Sequence, residues 1–69
     1  MKSEIWDYYG EYKCHVKTRE NRDKMLRWKG AKDGGVYYIP HEPNEYDVIV
    51  PRKYLKQAKK LLRVTKLLV

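Results

Sequence analysis

From Glu11 to Lys17 polar and apolar side chains alternate, so that Tyr12, Cys14 and Val16 share one face of an extended chain while Glu11, Lys13, His15 and Lys17 share the other. A period of two residues predicts a half-buried β-strand. Upstream, Ile5-Trp6-Asp7-Tyr8-Tyr9 is rich in strand-favouring aromatic residues, and Gly10 marks either a bulge in one kinked strand or the turn of a short hairpin. Thr18 then offers an oxygen to the free amides of a first helical turn that holds Glu20. Lys29 suits the last turn and Gly30 the left-handed position beyond it, so residues 19–29 are predicted to be helical. Met25, Leu26 and Trp28 are the apolar residues available to pack it, which predicts a surface helix laid over a sheet.

Asp33-Gly34-Gly35 ends residues 31–35 as a loop, because these residue types accept positive φ cheaply. Val36-Tyr37-Tyr38-Ile39 reads as a strand closed by Pro40, His41 to Glu45 as a turn, and Tyr46 to Val50 as the returning strand of an antiparallel hairpin. Pro51 is suited to open a helix, in which Tyr54, Leu55, Ala58, Leu61 and Leu62 form one stripe and Lys56, Lys59, Lys60 and Arg63 lie away from it. Beyond it the pattern splits: Thr65, Leu68 and Val69 continue the stripe while Val64 and Leu67 fall outside it, so residues 64–69 are either more helix or a final edge strand. The expected fold is α+β, a small antiparallel sheet with two helices packed on one face, in the order β-α-β-β-α with an optional last β. That order matches a ferredoxin-like arrangement.

A chain of 69 residues holds one core, and residues 1–69 are therefore expected to form a single α+β domain. Its one cysteine, Cys14, excludes an intrachain disulfide, and no stretch approaches signal-peptide or membrane-span hydrophobicity. The expectation is a cytoplasmic protein. Abundant Lys, Arg, Glu and Tyr beside a single Gln suits a heat-adapted, charge-rich surface.

Charge sharpens the functional expectation. The net charge is +7, and it is unevenly spread. Residues 17–32 hold seven Lys/Arg against two Asp/Glu, residues 33–51 four acids and no Lys/Arg, and residues 52–69 seven Lys/Arg and no acid. A solvated helix ordinarily gains from mixed i,i+4 ion pairs, and the second helix has none. Such a pole suits a polyphosphate, whose condensed counterions are released on binding. The reading is a non-enzymatic domain that grips the phosphate backbone of DNA or RNA with weak sequence preference, using Lys56, Lys59, Lys60 and Arg63 together with Lys17, Arg19, Arg22, Arg27 and Lys29. Lys24, Lys32 and Lys66 extend the set. The bland alternative is that lysines on a helix facing water serve solubility alone. Of Tyr37 and Tyr38, neighbours on one strand, at least one is expected on an exposed face, where a tyrosine can stack on an unpaired base.

No constellation points to catalysis, a metal or a cofactor. Cys14 and His15 are adjacent on a strand and so point to opposite faces, which separates them as ligands and leaves His41 without a metal partner set. Glu11-Tyr12-Lys13 has a spacing used by some nucleases, with Asp7 as the candidate second carboxylate, but the tripeptide is common by chance. The competing reading is a protein-interaction or homo-oligomerisation module, with a homodimer contact through Val64, Leu67, Leu68 and Val69.

Overall fold

The computed structural model describes residues 3–68. Strands β1 (Glu4–Tyr8) and β2 (Glu11–Val16) are followed by helix α1 (Arg19–Leu26), strands β3 (Tyr37–Glu42) and β4 (Glu45–Val50), a 3₁₀ turn over Arg52–Tyr54, and helix α2 (Leu55–Leu62). The protein is α+β, as its patterning predicts.

Gly10 resolves as a hairpin turn. Tyr8 pairs with Glu11, leaving a two-residue connection in which Tyr9 (φ 47°) and Gly10 (φ 83°) both adopt positive φ, as the twist-matched tight turn requires. The second hairpin also has a two-residue connection, Pro43-Asn44, where proline fixes the first position and Asn44 (φ 68°) takes the left-handed second. It is tighter than the five-residue turn expected, because β3 continues through Pro40 instead of stopping there. β3 is an edge strand, where a missing backbone donor costs the sheet nothing if it faces solvent. One residue later the register slips between Pro40 and Glu42, making His41 the extra residue of a β-bulge.

The strands line up as β1-β2-β4-β3, every neighbour antiparallel. β4 is thereby inserted between β2 and β3, the two strands joined through α1. The place on the far side of β2 is filled by β1, not by a strand that follows α2. Alternate residues of β2 and β4 face the helices: Tyr12, Cys14 and Val16 with Tyr46, Val48 and Val50 join Ile5, Met25, Tyr54, Ala58 and Leu62 in the buried core. Both helices therefore share one face of the sheet.

α1 stops at Leu26, three residues before its predicted end. Thr18 caps it as expected, its hydroxyl accepting from the Asn21 amide at 3.1 Å. Trp28 instead joins a run of turns through Gly35 that folds over Tyr54: the Tyr54 hydroxyl donates to the Lys29 carbonyl at 2.7 Å, and the Trp28 and Tyr54 rings lie 5.3 Å apart. Burying Trp28 against this ring replaces the last helical turn. α2 ends in a left-handed residue that is not glycine. Arg63 (φ 57°, ψ 41°) reverses the chain, and the Val64 amide donates back to the Lys59 carbonyl at 3.0 Å. Released from helical geometry, Val64 and Leu67 pack against the core, and Leu68 bridges Trp6 in parallel, its amide donating to the Ile5 carbonyl at 2.8 Å. Of the two continuations open to residues 64–69, the chain takes a single bridge on the edge of β1. Val69 lies outside the described residues.

Candidate functional site

Two hollows border α2, and they bring part of the predicted cation set together. The first, about 870 Å³, runs between the helices and is lined by Thr18, Glu20, Asn21, Lys24 and Trp28 of the α1 side and by Gln57, Lys60, Leu61, Leu62 and Arg63 of the α2 side. Trp28, beyond the end of α1, meets Tyr54 before the start of α2, while Lys17, before α1, shares a hollow with Arg63, beyond the end of α2, so the helices run antiparallel. The second, about 790 Å³, lies where the chain leaves α2 and is lined by Lys17, Arg63, Thr65 and Lys66, with Ser3 and Glu4 from the start of β1. Arg63 belongs to both. Its left-handed backbone sets the side chain at the junction.

The remaining predicted residues are distributed differently. Arg19, Arg27, Lys29 and Lys56 are exposed and Lys59 is half-buried, but none lines either hollow. Arg22 is engaged by its own neighbours: its Nη2 donates to Asp23 at 2.8 Å, and its guanidinium lies over the Tyr38 and Tyr46 rings at 4.8 and 4.6 Å. Lys17 donates to Glu45 and Lys24 pairs with Glu20 four residues earlier. Among the described residues, Lys56, Lys59, Lys60, Arg63 and Lys66 make no ion pair. Arg19, Arg27 and Lys29 likewise make none among the described residues, so internal matching in the first set falls on Lys17, Arg22 and Lys24. Both Tyr37 and Tyr38 are partly exposed, at 48% and 39%; by register Tyr37 lies on the helix-free face and Tyr38 on the helix side.

Two acids of the β3-β4 hairpin, Glu45 and Asp47, are engaged on the opposite face of the sheet. Asp47 is 6% exposed and joins two histidines: Oδ1 accepts from His15 Nδ1 at 2.7 Å, and Oδ2 faces His41 Nε2. His15 Nε2 also meets Glu45 Oε1 at 3.1 Å, and the same oxygen accepts from Lys17 at 3.1 Å. Both ring nitrogens of His15 therefore face carboxylate oxygens, which only accept, an arrangement that favours the doubly protonated ring. Burial opposes that charge, but the bonds to Asp47 and Glu45 outweigh it and raise the His15 pKa above its ordinary value. Burial likewise works against the Asp47 carboxylate, and the two histidines overcome it, so its pKa is lowered. Glu45 is drawn down to about 2, first by His15 and then by Glu42 and Lys17. No buried side-chain nitrogen or oxygen among the described residues lacks a partner.

The rest of this face is apolar and aromatic. Ile49 is fully buried although no helix covers it, with Lys13 and Tyr37 as its register neighbours. Lys13 extends over the Trp6 and Tyr8 rings at 5.5 and 5.1 Å, and Trp6 meets His15 edge-on with ring centroids 6.5 Å apart. Cys14 faces the core instead, and burial, with the Asp47 charge adding to it, pushes its thiol up to about 12. Among the described residues no three His, Cys, Asp or Glu side chains are grouped to hold a metal ion, and no helix is long and apolar enough to cross a membrane.

Sequence reasoning missed the His15-Asp47-His41 cluster. It is assembled from three strands, and the bulge that aims His41 has no signature beyond the nearby Pro40. The available signals were the parities of β2 and β4, which set His15 opposite Tyr12, Cys14 and Val16 and Asp47 opposite Tyr46, Val48 and Val50. Compared with described protein families, with curated proteins and with solved structures, the chain matches none.

Proposed function

We propose that this chain is a nucleic-acid-binding domain that holds the phosphate backbone along the helical face, with Lys60, Arg63 and Lys66 as the principal contacts and Lys17 and Lys24 at their flanks. The observation that carries the reading is Arg63, placed at the junction of two cation-lined hollows by a left-handed backbone that a non-glycine residue adopts only at a cost. The absence of acids from residues 52–69 supports it, as does the pairing of Glu45 and Asp47 with His15, His41 and Lys17 on the other face. Phosphate contacts position a strand without reading bases, so weak sequence preference follows. A cytoplasmic setting and a heat-adapted origin suit the composition and belong to the same reading. Homo-oligomerisation through the tail stands second, because Val64 and Leu67 already pack against the chain's own core.

A salt titration tests the proposal. Binding of a short labelled strand should weaken linearly in log–log form, with a slope that falls by about 0.7 to 0.9 for each phosphate contact removed. Lys60→Glu with Arg63→Glu should abolish binding, whereas Arg27→Glu should weaken it only slightly. Equal losses at both places would remove the α2 site.

A further inference from the structure

The helix-free face holds a group arranged for proton transfer. Asp47 is almost fully buried and is shared by two imidazoles, and the bulge at His41 turns that side chain toward it. An imidazole held through one nitrogen by a buried carboxylate carries its proton there, so that when neutral its other nitrogen is left as a base. The His41 side chain is 49% exposed, which leaves Nδ1 open to an incoming molecule. His15 is the opposite case. With both nitrogens bonded to carboxylates its charged form is favoured and neither nitrogen is free, its ring centroid 6.0 Å from that of His41.

The strands supply no serine, threonine or cysteine to this face, so a substrate must bring its own nucleophile. RNA does so, because each 2′-hydroxyl sits beside the phosphodiester it can attack. Lys17 connects the two faces: it lines the hollow that holds Arg63 and Lys66, and it donates to the same Glu45 oxygen that meets His15. Lys17 thereby sets that hollow beside the polar network of the other face.

Resting on the nucleic-acid reading above, we propose that His41 is a general base for RNA strand cleavage, with Asp47 as its positioning residue. His41 Nδ1 takes the 2′-hydroxyl proton, the 2′-oxygen forms a bond to the adjacent phosphorus, and the bond from phosphorus to the 5′-oxygen breaks with its electron pair. The 5′-oxygen takes a proton from water, and the hydroxide so formed is neutralised by the His41 proton. The products are a 2′,3′-cyclic phosphate and a 5′-hydroxyl.

The test uses a short labelled RNA and its 2′-deoxy counterpart, each with saturating protein in the presence of a chelator. The RNA should be cut to a cyclic phosphate end while the deoxy strand is bound and stays intact. His41→Gln should slow single-turnover cleavage on the order of 100-fold while the deoxy strand is still bound. Asp47→Asn should slow cleavage while still binding the deoxy strand, a split that general loss of structure would not give. Bound but uncut RNA, or equal cutting by His41→Gln, overturns the proposal and leaves the binding reading standing. A protein that binds neither strand defeats both.

Discussion

The two faces of the sheet are built from the same strands and held by different physics. Toward the helices, Tyr12, Cys14, Val16, Val48 and Val50 meet Met25, Ala58 and Leu62 in an apolar core with little to titrate. On the other face, the alternate residues of the same strands, Lys13, His15, Asp47 and Ile49, are held by ion pairs, charge-assisted bonds and a lysine laid over aromatic rings. One face answers to volume and the other to pH. Because β2 and β4 carry both, the polar network inherits the rigidity of the core, which is what a positioned histidine needs.

The largest effect expected from breaking this contrast is at Asp47. Asp47→Ala leaves two imidazoles without their shared partner and should cost about 3 kcal/mol near pH 6. Met25→Ala, in the core, should cost a similar amount, about 2–5 kcal/mol. Their pH dependence separates them. The His15 pKa is raised by folding, so its contribution is complete below its ordinary 6.5 and is lost as pH rises through the folded value. Asp47 and Glu45 are lowered, so their contributions are complete above their ordinary 3.8 and 4.5 and are lost as pH falls through their folded values. Wild-type stability should therefore peak between those carboxylate values and 6.5. Urea unfolding at pH 6 and pH 9 should show the Asp47→Ala loss shrinking in alkali and the Met25→Ala loss unchanged. Equal behaviour of the two variants would mean that the network is inert.

The core face was legible in the sequence because its signals are local. Alternation at Tyr12, Cys14 and Val16 and the stripe at Tyr54, Ala58 and Leu62 each lie within one element, and all six residues are buried. The open face was not, because His15, His41 and Asp47 meet only through strand register and a bulge. Element ends were misjudged for a related reason. α1 stops at Leu26 because Trp28 finds Tyr54, which lies far along the chain, and β3 passes Pro40 because the strand happens to be an edge. The predicted cation set, likewise, was uniform in the sequence but is sorted by the fold into residues matched at home, such as Arg22, and residues at the hollows, such as Lys60 and Arg63.

The loop over Tyr54 offers a second, smaller test, confined to the helical side. A Cβ on Gly34 would stand 2.6 Å from the Gly30 carbonyl oxygen and 3.2 Å from the Tyr54 ring, so either the turn or the ring must move. Gly34→Ala should cost about 2 kcal/mol, the range of a forced overpacking. Like Met25→Ala it should do so equally at pH 6 and pH 9, since no group of the polar network touches Tyr54. Thermal unfolding at the two pH values measures it, and a pH-dependent loss would show that the faces are coupled through the start of α2.

The smallest effect separates fold from function at a single residue. Arg63 occupies the left-handed position that ends α2, where a side chain costs roughly 1–2 kcal/mol and glycine does not. Arg63→Gly relieves that strain, partly offset by the extra freedom glycine gives the unfolded chain, roughly 0.4–1 kcal/mol. The net expectation is a gain of about 0.5 kcal/mol, read as a small rise in melting temperature. If the cation is kept there to hold phosphate, the same variant should bind a labelled strand more weakly and with a shallower salt dependence. Opposite changes in stability and binding are what a strained contact residue gives. A fall in both would mean that the arginine stem packs to hold the α2 terminus, and a gain in stability with unchanged binding would move the interface away from the two hollows.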